Sequence, residues 1–400
     1  MTPETTPRTA AAPRSPSRAL VPAAALLWGL QFAFLSPALG LLLVALFDAT
    51  AGEVGLVLAV YNASGFVAAL VVPAYADRTG DYLRPMLACG LLTLALAALL
   101  AVSTSLPMAL VGLVVLGGPA GVGSSLLFAH LRFSGATPSD VVNTRAIVSF
   151  AWVAGPPLAT LIIGAFGDRA ILLAIAAVAV LNVATTAAML AQRPADGARP
   201  EPGAEADEDR PLSRAGVAVI VAAFIALQAT NSAVMTVMAL FVTETLELDV
   251  IWAGVALGVA AGLEIPALLA IGRLNRRYSN LGLLASGCVV GIAYYVAMAF
   301  VTGPVLLVGL QALNAWFFAV IAGVGLTLFQ EVIPRPGLAS GLYTNTRRVG
   351  AVVSGPIIAL GSLSALGYGA VFAACAALTA LALAAIDVVS RMPVADPAVD

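Results

Sequence analysis

Twelve apolar runs, each about long enough to cross a bilayer, dominate this chain. An α-helix needs about 20 mainly apolar residues to span roughly 30 Å of hydrocarbon. Runs of that kind occupy approximately 20–46, 52–75, 84–103, 106–130, 142–166, 169–191, 214–242, 250–272, 280–301, 304–331, 338–362 and 367–390. The predicted fold class is therefore an all-α membrane protein with 12 transmembrane helices. Charge is correspondingly scarce, at 10% of residues, where a soluble domain needs roughly 25% to cover its surface.

The polar interruptions divide the chain. Residues 1–19 read as a disordered tail and 391–400 as a second one. The longest interruption, rich in Pro, Gly and acid, runs from Gln192 (192–213) between runs six and seven and has the composition of a flexible linker. It separates a six-helix bundle at 20–191 from another at 214–390.

All 19 basic residues are Arg, and their positions predict the orientation. They cluster in the N-terminal tail, at every second loop, in the central segment and at Arg391. The opposite loops hold only Arg169. The positive-inside rule places both termini and the linker in the cytoplasm. No loop is large enough to be an enzymatic domain, and no basic patch suits a nucleic acid. The single histidine, His130, excludes a multi-histidine metal centre. The three cysteines lie far apart inside apolar runs and read as buried apolar residues. No cofactor or metal is expected.

The halves repeat one another. "VVNTRAIVSFAWVAGPPLA" from Val141 and "LYTNTRRVGAVVSGPIIAL" from Leu342 share Asn-Thr-Arg followed by Gly-Pro. Weaker matches link "ADRTGDYLR" with "GRLNRRYSN", and "VGLVVL" with "VGLQAL", at similar offsets of roughly 200 residues. Two parallel six-helix repeats are the architecture of a rocking transporter, with its site between the halves.

Polar side chains in hydrocarbon are costly unless they face protein or water. Gln31, Asn62, Gln228, Asn231, Gln311, Asn314 and Asn345 are candidate cavity residues, while runs 3, 6, 9 and 12 hold few polar groups. Each amide alone is equally readable as a helix–helix hydrogen bond. Together they suit a hydroxyl-rich solute, because amides both donate and accept. Arg145, about one turn inside the membrane edge, is readable as a snorkelling side chain or as a cavity group. Glu264 is the one carboxylate well inside a run, and Pro266 loosens the helix beside it. It is a candidate proton carrier, with helix packing and substrate hydrogen bonding as the other readings. Gly155-Pro156 and Gly355-Pro356 are candidate pivots or simple packing points. Asp77, followed by Arg78 at the end of run 2, is placed to meet the positive N-terminal end of run 11 near Ser340 and Gly341, closing a gate.

These residues resemble the major facilitator superfamily over essentially the whole chain. "DRTGDYLR" is similar to its loop 2–3 signature, with Pro73 at a position usually held by Gly, and "AGPP" is similar to its antiporter motif. "RAIVSFAWVAGPPLA", "AAGLEIPALL" and "LQALNAWFFAVIAGVG" followed by "FQEVIP" look like the sugar efflux transporter family. That resemblance implies proton-coupled export of sugars or glycosides from a bacterial inner membrane, with two pseudo-symmetric bundles and alternating access. The alternative is a proton-coupled multidrug or natural-product exporter of the same fold. The expected partners are the small-molecule substrate, protons and the lipid bilayer, around a monomer.

Overall fold

The computed structural model describes residues 17–192, 214–249, 251–363 and 367–391. The expected tails at 1–19 and 391–400 and the linker at 192–213 lie almost wholly outside the described residues. Regular structure among the described residues is helical throughout.

The N-terminal half holds α1 (Ser17–Phe47), α2 (Ala51–Thr79), α3 (Leu83–Val102), α4 (Leu106–Phe133), α5 (Pro138–Phe166) and α6 (Ala170–Ala191). The C-terminal half holds α7 (Arg214–Leu240, extended by a π-helical turn), α8 (Ile251–Leu274), α9 (Asn280–Met298), α10 (Pro304–Val332), α11 (Pro336–Leu363) and α12 (Gly369–Ser390). Among the described residues, nine of these are long and apolar enough to cross a membrane, and α1 contributes a shorter apolar stretch, Leu20–Leu35.

Local chemistry sets the ends. The fifth run begins at Pro138, four residues earlier than hydropathy predicts, because Thr137 and Asp140 form a capping box. The Asp140 carboxylate accepts the Thr137 N–H at 3.0 Å. Pro138 fills the first helical position, where no N–H is needed. Such a cap contributes about 1 kcal/mol. Within α4 the helix is less regular than a plain apolar run suggests: residues Leu113–Gly117 form a π-helical turn and the chain breaks again at Gly121. Ser64 of α2 donates to the Val114 carbonyl at 2.6 Å, satisfying part of that turn.

The packing is repeated as the sequence is. In the first half α1 packs on α5 and α6, and α3 on α6 and α4. Six helices later α7 packs on α11 and α12, and α9 on α12 and α10. The halves meet through α2 against α11 and α5 against α8, with α4 and α10 filling in.

Close approaches of that meeting lie at the end where the arginines cluster. Gly341 of α11 lies against the Ala69 carbonyl, Gly337 against Pro73, and Gly272 of α8 against Asn143. At the other end, nothing among the described residues lies within 4 Å of where a Cβ would project from Gly254, Gly258, Gly262 or Gly355. Among the described residues the halves are thus closely joined at the arginine-rich end, while these glycines of α8 and α11 meet open space at the other. A methyl group at Gly341 would overlap the Ala69 carbonyl oxygen, and a close-packed seam has no room to absorb it. Gly341→Ala is therefore expected to open the seam without unfolding either half. The check is the reactivity of a cysteine placed at Thr344 towards an impermeant thiol reagent, which should rise several-fold. The native cysteines are buried and do not interfere.

Candidate functional site

The repeated Asn-Thr-Arg triplets come together in the structure. Their asparagines lie in the two inter-half seams: Asn143 against Gly272, and Asn345 donating to the Phe66 carbonyl at 3.0 Å. Their arginines, Arg145 of α5 and Arg347 of α11, both stand within electrostatic reach of Glu264 on α8. Ser149 of α5 donates to the Glu264 carboxylate at 2.7 Å, so this contact itself crosses between the halves.

Helix geometry explains the convergence. Arg145, Ser149 and Trp152 follow at i, i+4 and i+7 and share one face of α5. Tyr343 and Arg347 are likewise four apart on α11. The Arg347 guanidinium lies over the Trp152 ring, 5.1 Å from its centre, a cation–π contact. Tyr343 donates to the Ile321 and Ala322 carbonyls of α10 at 3.2 Å, which fixes its ring below the cluster. Arg347 has exposed surface although it sits mid-helix. Arg145 points inward and keeps a buried Nε without a hydrogen-bond partner among the described residues. Both arginines stand within electrostatic reach of Glu264.

Beneath this cluster lies the seal. Asp77 accepts the Gly337 and Leu338 N–H groups at 2.7 and 2.8 Å. It meets α11 about one turn earlier than Ser340 and Gly341, because the unsatisfied N–H groups of a helix are those of its first turn. Tyr82 donates to Asp77 at 2.7 Å. Burial, with the hydrogen bond to Asp77 and its negative charge, pushes the Tyr82 phenol up, so it remains a donor at ordinary pH. Further contacts are Ser125 with Thr344 at 2.8 Å and Gln330 donating to the Phe128 carbonyl at 3.0 Å. Arg78 is exposed beside the seal.

The amides divide. Asn62 is exposed and bonds only to the Leu58 carbonyl of its own helix. Asn231 is half-buried, with a 3.7 Å contact to the Met235 sulfur. Gln228 is buried where α7 passes Gly350. Three of the proposed cavity residues are spent elsewhere. Gln31 donates to Thr93 at 2.7 Å and accepts from Asn182 at 2.8 Å, tying α1, α3 and α6 together inside one half. Gln311 is wholly buried, bonding to the Leu307 carbonyl and to Asn314. Asn345 belongs to the seal. Buried amides take whichever partner the neighbouring helix supplies, and that neighbour is not visible in a hydropathy pattern. Gln31→Leu is expected to cost about 1–3 kcal/mol, the penalty of leaving buried partners unpaired, with unchanged substrate affinity. Thermal unfolding in detergent and substrate binding are the paired measurements.

The two Gly-Pro pairs differ. Gly155 is pressed against Ala33 of α1, a packing contact within one half. Gly355 meets open space, and Pro356 is exposed within α11. The side chain of Pro156 lies outside the described residues. Three groups escaped sequence reasoning: Ser149, Trp152 and Tyr82. The i+4 and i+7 spacing from Arg145 was the available signal for the first two.

Residues 23–354 match the Major Facilitator Superfamily. The chain is 30% identical over 355 residues to sugar efflux transporter B of Salmonella typhimurium, covering 87% of this chain and 89% of that one. The chain belongs to the Major Facilitator Superfamily, among its sugar efflux transporters. It is 28% identical over 370 residues to sugar efflux transporter A of Escherichia coli, covering 90% and 92% of the two chains. Among solved structures, the transporter resembles FucP, a Major Facilitator Superfamily transporter in the outward conformation. The TM-score is 0.72 at 16% identity, over 94% of this chain and 99% of that one. A bacterial homologue of the iron transporter ferroportin in an outward-facing state aligns with the same score, identity and coverage. These two likenesses concern the fold alone. The protein is a multi-pass membrane transporter and not an enzyme.

Proposed function

We propose that the transporter exports sugars or glycosides across a bacterial inner membrane, in exchange for protons, by alternating access. Its termini lie in the cytoplasm, so the sealed end is the inner one and the open end faces outward. The protein works as a monomer. The observation that carries this reading is Glu264, a carboxylate bonded across the inter-half seam at the floor of the open side, with the repeated arginine pair around it.

Ionised Glu264 offers acceptor positions to sugar hydroxyls, while Arg145 and Arg347 donate. Trp152 offers a flat surface to the apolar face of a sugar ring. Protonation converts one carboxyl oxygen from acceptor to donor, so proton and sugar compete for Glu264. Competition of that kind, with one ligand carried each way, yields exchange. Return to the inward-facing state requires the seam around Asp77 and Asn345 to part, with the open end closing around Gly355 and Pro356. Asn62 and Asn231 stand on the helices that would close.

Relatives named sugar efflux transporters over most of this chain support the substrate class. Counterflow of a radiolabelled lactoside in proteoliposomes tests it, with other sugars and cationic drugs as competitors. Competition by sugars and glycosides is expected. Competition by the drugs alone would overturn the reading.

A further inference from the structure

Arg169 breaks the charge pattern of the chain. The end opposite the arginine cluster carries Asp48, Glu53, Asp168, Glu244, Glu247 and Asp249 among the described residues, and Arg169 is the one basic residue there. A cation on that side runs against the orientation bias of the rest of the chain, and neither the seam nor the Glu264 cluster uses it.

It stands at the mouth of a groove. Between α3 and α6, on the outside of the N-terminal half, lies an open cleft of about 520 Å³ walled by Ala97, Ala98 and Ala101 on one helix and Leu173 and Ala176 on the other. The volume falls within the roughly 300–1,000 Å³ of small-molecule sites. Small side chains on α3 leave the space, and Arg169 closes its top, donating one hydrogen bond to the Ala101 carbonyl at 3.3 Å. Among the described residues no other partner takes its remaining guanidinium donors, and their fork suits the oxygens of a phosphate. Seven residues separate Arg169 from Ala176, so the groove descends about 10 Å along α6 from the membrane edge. A charged head at the edge above an apolar slot is the outline of a phospholipid. Asp168, exposed and adjacent, adds a negative charge that repels an anionic head group and suits an ammonium.

We propose that this groove holds one zwitterionic phospholipid, its phosphate on Arg169, its ammonium beside Asp168 and one acyl chain along the alanine wall. The test is native mass spectrometry of the full-length transporter released from nanodiscs of equal phosphatidylethanolamine and phosphatidylglycerol. One retained phosphatidylethanolamine is expected. Arg169→Gln should lower its retention about tenfold, a loss of the size of one charge-assisted contact. Asp168→Asn should abolish the preference over phosphatidylglycerol. Ala98→Phe, which fills the slot but keeps the arginine, should also release the lipid; thermal unfolding verifies that each variant is folded. Equal retention of the two lipids by the unaltered transporter would overturn the proposal, and so would undiminished retention in Arg169→Gln. Complete displacement by inorganic phosphate would show an anion site without a lipid. Where a variant fails to fold, equal retention of the two lipids by the unaltered transporter still overturns the proposal.

Discussion

Glu264→Gln is expected to abolish the coupling of sugar movement to protons and to weaken sugar binding, since the amide presents a donor and an acceptor as the protonated carboxyl does, while sugar-for-sugar exchange persists at saturating sugar. The amide keeps the size of the side chain and its ability to bond with Ser149, but it takes up no proton in the working range. One pH unit corresponds to about 1.4 kcal/mol per proton. A gradient of about two units therefore supports roughly a hundredfold concentration of sugar through a one-for-one exchange. In the Gln variant that ratio should fall to one and cease to follow the gradient. The paired readout matters. A loss of exchange even at saturating sugar would mean that Glu264 holds the halves together through Ser149 and carries no coupling. The arginines define a second arm of this result. Arg145→Gln and Arg347→Gln should weaken sugar binding and shift the pH dependence of exchange, because each removes a positive charge within reach of the carboxylate.

The second large effect is expected at the seal. Asp77 satisfies two N–H groups of α11 and receives the Tyr82 hydroxyl. It does for α11 from another half of the molecule what an N-cap residue does within one chain segment. An ordinary cap contributes about 0.5–2 kcal/mol, and a hydrogen bond to a charged group about 1.5–3 kcal/mol. Since 1.4 kcal/mol is tenfold in an equilibrium, Asp77→Ala should shift the balance away from the sealed state by about 10- to 100-fold. Asp77→Asn, which keeps one acceptor oxygen, should do less, and Tyr82→Phe less again. Thiol labelling of a cysteine at Ser125, in the seam with Thr344, reads the shift directly. Unchanged labelling in Asp77→Ala would show that the glycine-lined contacts of Gly337 and Gly341 close the seam without help from the carboxylate.

The parts of this molecule that could be read from sequence are those fixed along one helix. Apolar length located the helices to within a few residues, and the Asn-Thr-Arg repeat marked equivalent positions in two halves. The contact of Asp77 with the start of α11 followed from the electrostatics of a helix end. The parts that could not be read depend on which neighbour a side chain meets. Gln31 and Asn231 both stand mid-helix in apolar runs. One is buried between α1, α3 and α6; the other is half-buried beside a methionine. Nothing in their own segments separates them. Arg145 was ambiguous for a related reason. Its distance from the membrane edge fits snorkelling, yet Glu264, on another helix more than a hundred residues away, lies within its electrostatic reach. The irregularities of α4 were hidden because a π-helical turn keeps the hydropathy of the helix it interrupts. The Gly-Pro pairs, alike in sequence, part company in space: Gly155 is packed and Gly355 is open.

The central claim, that outward sugar movement is exchanged for inward proton movement, is tested most directly in proteoliposomes of uniform orientation. They would be loaded with a labelled lactoside at the concentration present outside, with the outer medium then acidified. The account predicts net exit of label against a growing outward excess, driven by proton entry and abolished by a protonophore. Exit that never proceeds beyond equal concentrations, at the same rate with and without the pH step, would contradict it.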